Sequence, residues 1–503
     1  MGPISEAYNS LFRLRSLTIL EHPILGNLSI DFCQYNGVPQ GIHTSVIIGA
    51  NGIGKSHLLN VIAEIFCLLD NQYHRRNQEA LQYYFRIKYS AKWEEYEFSN
   101  YADYNPVGRS KYTSLYFKKA GERVGIEMME LPWRLIVSST TINDKFLAKS
   151  TDMYRYKGMR NEKSPSTTGT RTMVRKTVES LLNSLDTEVG FRRQLKDLLV
   201  HLGLQPRLEL TYSLRYKNVF LKEDLDRFKI QQIFEEQSDT FKKRTTLLWG
   251  TQNYEKIKYE QIEQLDEIAH FYQTIRNNKA FTEKEHLYYD LLDEECNVHK
   301  DRDALKILSA LDLVSYPSLK VYKDSDFLFD QSSSGEWSLF CQMVSIMSEI
   351  QPGSIVLIDE PENSAHPNWQ INYIGWLKKI FEQYYNCHFV IATHSHFMLS
   401  DLEPLTSDII ALERSEVGLR DLAEGVNTFC WSVDDILYRV FHVRNTRNYV
   451  FEGKLVELYQ MVSNRGDKKE VERLMNELSQ YRMNGDDPLV KLLETARNYV
   501  ESV

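Results

Sequence analysis

Alternation of apolar and polar positions marks the first 140 residues as rich in β-strands. Short alternating runs are separated by turn residues such as His22-Pro23 and Gly26-Asn27, a pattern typical of half-buried strands. Segments 83–98 and 111–118, rich in Tyr and Phe, resemble strands of a meander. The other predicted strands here are Phe12–Leu20, Leu28–Phe32, Ser45–Ile48 and Leu131–Val137.

The middle of the chain has a helical period instead. Between residues 174 and 314, leucines and isoleucines recur at helical spacing, with breaks near Gly203, around Phe220–Leu225 and at Gly250. The apolar stripe within Tyr254–Tyr272 predicts packed helices, with a two-stranded coiled coil as the alternative. Because the period is interrupted, we expect any coiled-coil arm to be short.

Alternation of strands and helices returns after residue 316. Strands are predicted at Leu319–Tyr322, Ser354–Ile358 and His388–Thr393, and a crossover helix at about Pro367–Tyr384. Residues 441–503 are charged and have a helical pattern. The chain therefore divides by pattern into segments 1–150, 151–315, 316–440 and 441–503.

Composition narrows the class of protein. The 503 residues are 42% hydrophobic and 26% charged, which is ordinary for a globular protein. The net charge of −9 excludes a uniformly basic nucleic-acid-binding coat but not a local basic patch. Six scattered cysteines without a C-x-x-C pair favour a reducing cytoplasm over a zinc or disulfide framework. No apolar run approaches the roughly 18 residues of a membrane span, so we expect no membrane segment.

A phosphate-binding loop follows the strand Val46-Ile47-Ile48. Residues Gly49–Ser56 match G-x-x-x-x-G-K-[ST], and apolar residues at helical spacing come next. Glycines let backbone N–H groups face a phosphate, and the helix N-terminus adds partial positive charge. Lys55 would reach the β- and γ-phosphates of ATP, and the Ser56 hydroxyl would ligate Mg²⁺. A glycine-rich turn with a chance lysine is the alternative. The predicted nucleotide-binding residues are Gly49, Asn51, Gly52, Gly54, Lys55 and Ser56.

Acidic and histidine side chains end two later strands. The apolar run Ser354–Ile358 leads into Asp359 and Glu360. We assign Asp359 to Mg²⁺ and Glu360 to the general base that polarises the attacking water, the alternative being a helix cap. His394, after the next strand, is a candidate sensor of the γ-phosphate. Small residues before a helix predict a second anion-binding helix N-terminus, or else a plain loop, at Ser333, Ser334, Gly335 and Glu336.

Together these pieces resemble the head of an ABC-type ATPase, closer to SMC and OLD-type heads than to transporter subunits. Gly49–Ser56 corresponds to Walker A, Ser333–Glu336 to the signature, Ile355–Glu360 to Walker B and His394 to the switch histidine. Further strings that resemble motifs of these soluble, partly defence-associated ATPases are Asp359–Pro367, Ala392–Ser395, Ser138–Phe146, Thr428–Ser432 and Asp435–Leu437.

The resemblance implies an α/β fold, in which a mixed sheet and an antiparallel β subdomain form the head from residues 1–150 and 316–440. Residues 151–315 would be an inserted helical or short coiled-coil arm, and 441–503 a helical tail. Such heads form homodimers or higher oligomers head to tail, so that Ser333–Glu336 of one subunit closes on ATP held by Lys55 of another. The resemblance also makes Asp144 a candidate for contacts near Mg²⁺.

The class of function is narrowed by what the chain lacks. A transporter subunit rarely carries so long an insertion between Lys55 and Asp359. The residues after His394 hold Asp486-Asp487 rather than the D-x-D of an OLD-type nuclease, so we expect no intrinsic nuclease. The ATPases of anti-phage systems such as Septu, retron-associated operons and PARIS, whose nuclease is a separate chain, are the nearest resemblance. An SMC-like DNA maintenance or repair ATPase is the alternative.

Residues 153–177 form the most basic stretch of the chain. Their only acidic residue is Glu162, and tyrosines interleave the cations. Such a stretch predicts a DNA or RNA contact through phosphates, with a solvated loop as the alternative. The cations are Arg155, Lys157, Arg160, Lys163, Arg171, Arg175 and Lys176.

Overall fold

The computed structural model places most of the chain in two compact units, Met1–Ile436 and Leu437–Val503. It describes residues 11–32, 41–76, 80–101, 114–160, 170–187, 190–214, 226–229, 262–277, 286–296, 298–310, 314–315, 317–323, 327–328, 334–416, 418–421, 449–464, 466–480 and 488–501. Within these ranges, no helix is both long enough and apolar enough to cross a membrane.

All described strands belong to the first unit. In chain order they are β1 (Phe12–His22), β2 (Gly26–Asp31), β3 (His43–Gly49), β4 (Tyr84–Ala91), β5 (Glu94–Ser99), β6 (Tyr116–Lys119), β7 (Glu122–Arg123), β8 (Leu135–Ser139), β9 (Tyr154–Tyr156), β10 (Leu208–Ser213), β11 (His286–Asp290), β12 (Ser318–Lys323), β13 (Phe327–Leu328), β14 (Ile355–Asp359), β15 (His388–Ala392), β16 (Ser407–Ser415) and β17 (Gly418–Asp421).

Helices lie in both units. Those of the first unit are α1 (Lys55–Tyr73), α2 (Thr170–Thr187), α3 (Phe191–His201), α4 (Ile262–Asn277), α5 (Val298–Ala310), α6 (Ser334–Met347) and α7 (Pro367–Ile380). Those of the second are α8 (Tyr449–Ser463), α9 (Lys468–Ser479) and α10 (Pro488–Glu501).

A mixed sheet of 13 strands dominates the first unit, so the fold is mixed α/β as the sequence predicts. Its order is β7-β6-β5-β4-β1-β2-β17-β16-β3-β15-β14-β8-β9. Strands β1, β2 and β4–β7 pair antiparallel, which confirms the meander predicted from alternation. The run β16-β3-β15-β14-β8-β9 is parallel throughout.

The parallel half positions the candidate chemistry. β14 and β15 are completely buried, which agrees with their apolar runs Ile355–Ile358 and Phe389–Ala392. Helix α1 packs against β3, β14 and β15 through its apolar face. Because the carboxyl ends of parallel strands meet at one edge of a sheet, the segments that follow Gly49, Ser139, Asp359 and Ala392 gather there.

The middle of the chain differs from the sequence expectation. Its described residues contain helices, but also a four-stranded antiparallel sheet of order β11-β10-β12-β13. Two of these strands, β10 and β11, fall inside the segment whose period indicates only helices. Leu208–Ser213 pairs with both β11 and β12, and this long-range pairing is invisible to a local period. Residues 220–225 and Gly250, where breaks are predicted, lie outside the described ranges.

The second unit is a small helical body, which agrees with the helical pattern of residues 441–503. Its three helices bury one apolar cluster. Asp467 caps the N-terminus of α9 by accepting a hydrogen bond from the Lys469 N–H at 3.1 Å. The fully buried members of the cluster are Leu455, Leu458, Val471, Leu474, Leu478 and Ala496.

A buried polar cluster ties the antiparallel part of the sheet to the parallel part. Nδ1 of His388, on β15, accepts a hydrogen bond from the Leu14 N–H at 3.0 Å, and Nε2 lies 2.8 Å from Ser45 Oγ. Arg13 donates to the carbonyl of Cys387 at 2.8 Å and to that of Gly41 at 2.7 Å. Burial lowers the pKa of His388 well below its ordinary value, so the ring is neutral and Nε2–H donates to Ser45.

We therefore expect His388→Phe to destabilise the fold. Phenylalanine fills the space but leaves the Leu14 N–H without an acceptor, which should lower the free energy of unfolding by about 1–3 kcal/mol. Urea denaturation measures the difference. The control is His270→Phe, at an exposed position of α4, and equal stability of the two variants would contradict the role of the cluster.

Candidate nucleotide site

The phosphate-binding loop connects β3 to α1 as its sequence predicts. Gly54 has φ +113° and is the N-cap of α1. A Cβ at this position would lie 2.6 Å from Leu25 Cδ2 of the β1–β2 turn. Only glycine meets both demands, because L-residues rarely adopt this φ and there is no room for a side chain.

The N-terminus of α1 is suited to an anion. No side chain caps it, and its first turn has no acidic residue. Its first N–H groups lack partners within the helix, and the helix dipole adds positive potential there. Asn51 and Gly52 are exposed at the tip of the loop, and Gly49 has φ +153°. The loop can therefore wrap a phosphate with backbone N–H groups.

Lys55 is buried in this loop, with 4% of its surface exposed. Its Nζ donates to the carbonyl oxygens of Gly49 at 2.9 Å and Ala50 at 3.3 Å, and lies 3.0 Å from Nδ1 of His394. Burial lowers the pKa of Lys55 to about 8, while nearby carboxylates, Glu362 first, act in the opposite direction. A triphosphate would supply the negative charge that this buried ammonium lacks.

Asp359 and Ser56 meet across the loop. The Ser56 hydroxyl donates to Asp359 Oδ1 at 2.9 Å, and Asp359 is 1% exposed. Burial raises the pKa of Asp359 to about 7. A hydroxyl and a carboxylate are hard oxygen ligands, and a buried carboxylate with a raised pKa lacks a cation beside it. These residues therefore fit Mg²⁺.

His394 lies between Lys55 and Glu360. An ammonium only donates, so Nδ1 accepts from Lys55 and the ring proton is on Nε2, which is 3.4 Å from Glu360 Oε1. The hydrogen bond from His394 lowers the pKa of Glu360. Glu360 is therefore ionised near neutral pH, as a general base requires.

The backbone at Glu360 is unusual. Glu360 has φ +48°, in the left-handed region that non-glycine residues avoid. Its N–H donates to the Ala392 carbonyl at 2.9 Å, and its carbonyl accepts from Thr140 Oγ1 at 2.7 Å. Such a conformation costs about 1–3 kcal/mol and persists only where neighbours hold it. Here Thr140, directly after β8, and Ala392 of β15 supply the two contacts that hold it.

The signature region is described in part. Ser333 lies outside the described ranges, and Ser334 and Glu336 begin α6 without a described side chain. Gly335 is buried, and a Cβ there would lie 1.9 Å from the Ser364 carbonyl oxygen. The signature glycine therefore packs on the backbone of the loop that follows Asp359, and no other residue fits.

Asp144 is engaged by neighbouring side chains. Its Oδ1 accepts from Arg160 Nη2 at 2.5 Å and from the Phe146 N–H at 3.1 Å, and its Oδ2 accepts from the Tyr156 hydroxyl at 2.5 Å. Its side chain is fully buried. These contacts favour a structural role, since binding Mg²⁺ would require Asp144 to release at least one of them.

Most of the described cations in the basic stretch 153–177 are partly buried and have partners within the chain. Arg155 and Lys157 pair with Glu349 at 3.2 and 2.8 Å, and Arg160 pairs with Asp144. Lys176 donates to the Gly158 carbonyl at 2.9 Å. Arg175 lies 3.6 Å from Glu179. Five of the seven cations predicted to contact phosphates therefore have partners in the chain. Lys163 and the side chain of Arg171 lie outside the described residues. The predicted motifs Thr428–Ser432 and Asp435–Leu437 also lie outside them.

Three side chains at this edge were given no role by the sequence analysis. Thr140 holds the Glu360 carbonyl, Glu362 accepts from the His394 backbone, and Gln370 joins Ala365 to Ser395. Thr140 lies within Ser138–Phe146 and Glu362 within Asp359–Pro367, two segments that resemble motifs of soluble ATPases. A carboxylate three residues after Asp359 was the signal available for Glu362.

We expect the stability of the metal-free protein to depend on Asp359 and on pH. With an ordinary pKa of 3.8 and a folded pKa of about 7, the folded state holds a proton that unfolding releases. The stability that this proton on Asp359 contributes is present in full below pH 3.8, and it is lost as the pH rises through about 7. Asp359→Asn should therefore gain stability over wild type with rising pH, by up to about 4 kcal/mol. Thermal unfolding in a chelator at pH 5 and pH 8 measures it, and a difference independent of pH would contradict it.

Residues 165–400 match the family described as "AAA domain, putative AbiEii toxin, Type IV TA system". The matched range contains Gly335, Asp359, Glu360 and His394, and begins after Lys55. No curated protein sequence matches the chain.

Two solved structures with which the chain aligns are SMC heads. The SMC head domain of Thermotoga maritima has 9% identity and a TM-score of 0.36, over 81% of this chain and 97% of that one. The Smc head of Pyrococcus furiosus, bound to the C-terminal domain of ScpA, has 12% identity and a TM-score of 0.33, over 82% and 98%. Residues 165–400 are thus similar to this AAA family, and the phosphate-binding loop Gly49–Ser56 lies before the matched range.

Proposed function

We propose that this protein hydrolyses ATP and uses the cycle of binding and hydrolysis to control a nuclease on a separate chain, within a bacterial antiviral complex. One observation carries the ATPase part of this proposal. Lys55, Ser56, Asp359, Glu360 and His394 come from three separate segments, yet they are linked by contacts of 2.9 to 3.4 Å.

The network assigns a task to each residue. Lys55 exchanges the carbonyls of Gly49 and Ala50 for phosphate oxygens and neutralises charge that develops on the γ-phosphate. Ser56 and Asp359 hold Mg²⁺, which neutralises further phosphate charge when bound. Glu360 accepts a proton from the attacking water. The oxygen of that water bonds to the γ-phosphorus, and the bond between the γ-phosphorus and the leaving oxygen of ADP breaks. His394 holds Glu360 through Nε2–H and senses the γ-phosphate beside Lys55.

Dimerisation completes the proposed site. In ATPases that this chain resembles, the signature of one subunit closes on the nucleotide of another. Ser333–Glu336 would take that part here, with α6 supplying the helix N-terminus. ATP then holds two heads together, and hydrolysis releases them.

The antiviral role is supported by the family description and by the motif resemblance. The description of the matched family names a putative AbiEii toxin and a type IV toxin–antitoxin system. Most of the described cations of the basic stretch are paired with carboxylates of the chain, which gives little support to the alternative, an SMC-like ATPase that acts on DNA by itself. ATP-dependent DNA binding by the purified chain alone would favour that alternative.

Lys55→Ala should abolish both ATP binding and the downstream activity. Losing the ammonium removes charge-assisted hydrogen bonds, each worth about 1.5–3 kcal/mol, or roughly ten- to a hundred-fold in affinity. Titration with a fluorescent ATP analogue measures binding, and phage plating on cells that express the chain with its neighbouring genes measures protection. Lys379→Ala, at an exposed position at the end of α7, is the control. Protection that survives Lys55→Ala would refute the proposal.

Glu360→Gln should bind ATP but hydrolyse it at least about a hundred-fold more slowly, because the amide cannot accept the proton of water. With hydrolysis blocked, ATP should hold the heads as a stable dimer. Phosphate release and light scattering with and without ATP measure the two effects. Glu382→Gln, on the surface, is the matched control, and normal hydrolysis by Glu360→Gln would show that another group is the base.

A further inference from the structure

Glu362 makes a contact that the proposed hydrolysis does not use. Its Oε1 accepts a hydrogen bond from the backbone N–H of His394 at 2.5 Å. Its Oε2 is buried and has no hydrogen-bond partner among the described residues. Burial raises the pKa of Glu362. Placing a carboxylate where one oxygen is unsatisfied is unfavourable, and hydrogen bonds to the carboxylate, first that from the His394 N–H and also that from the Thr393 side chain, offset part of that cost.

A second contact ties the same two loops together. Gln370, on α7, donates from Nε2 to the Ala365 carbonyl at 2.8 Å, and its Oε1 accepts from the Ser395 hydroxyl at 2.6 Å. The segments 360–366 and 393–395 are thus joined at two places. One of these places is the backbone of His394 itself, whose imidazole contacts both Lys55 and Glu360.

Small shifts of this imidazole have large consequences. Its two nitrogens lie 3.0 Å from Lys55 Nζ and 3.4 Å from Glu360 Oε1. A displacement of about 1 Å would break either contact, and misplacement of this size costs up to about a hundred-fold in rate. The backbone of residue 394 therefore needs an anchor, and the Glu362 carboxylate is bonded to it directly.

We propose that Glu362 is a positioning residue, whose carboxylate anchors the backbone of His394 so that the imidazole bridges Lys55 and Glu360. The proposal rests on the proposed ATP hydrolysis for its kinetic consequence, but not for the contact itself. A different role is conceivable for the same side chain, because its negative charge also acts on Lys55. Substitutions of Glu362 can separate the effect of its side-chain length from the effect of its charge.

Two variants make the separation. Glu362→Gln keeps the length of the side chain and an acceptor oxygen but removes the charge. Glu362→Asp keeps the charge but is one methylene too short to reach the His394 N–H. Anchoring predicts that Glu362→Gln retains kcat within about three-fold, whereas Glu362→Asp loses roughly ten- to a hundred-fold. ATP affinity should stay within about two-fold in both, since the anchor acts on chemistry rather than binding.

Hydrogen exchange of the nucleotide-free protein gives a readout that needs no activity. In wild type and Glu362→Gln, the His394 amide should exchange slowly, and in Glu362→Asp at least about ten-fold faster. A double-mutant cycle gives another readout, since Glu362→Asp should lower kcat no further in the His394→Ala background. Glu382→Asp, at an exposed position, is the matched control, and thermal unfolding checks that each variant is folded.

The outcomes are distinct. Loss of kcat in Glu362→Gln with retention in Glu362→Asp would overturn the anchor and assign the effect to charge, and equal loss in both variants would also overturn it. Unchanged exchange of the His394 amide in Glu362→Asp would overturn the contact itself. Absence of hydrolysis in wild type would refute the proposed function instead, and the exchange experiment would still decide the anchor.

Discussion

The candidate site depends on one constraint, the burial of opposite charges at the carboxyl edge of parallel strands. Lys55 and Asp359 are both nearly inaccessible to solvent. Burial lowers the pKa of Lys55 and raises the pKa of Asp359, so it favours the neutral form of each. A buried charge without a full partner is costly. A nucleotide with its metal would supply an anion beside Lys55 and a cation beside Asp359, so the two buried groups suit the proposed ligand.

The same edge shows how local strain is held in place. Glu360 adopts a left-handed backbone because Thr140, directly after β8, and Ala392 of β15 hold its two peptide groups. His394 is in turn held through its own backbone by Glu362. Glu360 and His394, the proposed base and sensor, are therefore held by contacts between strands and loops, which is how rigid elements preorganise a site.

The basic stretch shows why charge along a sequence is a poor guide to a binding surface. Arg155, Lys157 and Arg160 are close in sequence, but each finds a carboxylate that lies near it only in the fold. Glu349 is contributed by the segment after α6 and Asp144 by the loop after β8. Their compensation follows from tertiary structure, so the local net charge overstated what is available to phosphates.

The sequence by itself determined the elements and motifs whose cause is local. Period-2 alternation marked the meander, buried runs marked β3, β14 and β15, and glycine spacing marked the loop at Gly49–Ser56. Tertiary structure alone decided the pairing of β10 with β11 and the anchor from Glu362 to His394. The physical reason is range: a period or a turn is set by neighbours a few residues apart. Burial, pairing and pKa are set by residues that only folding brings together.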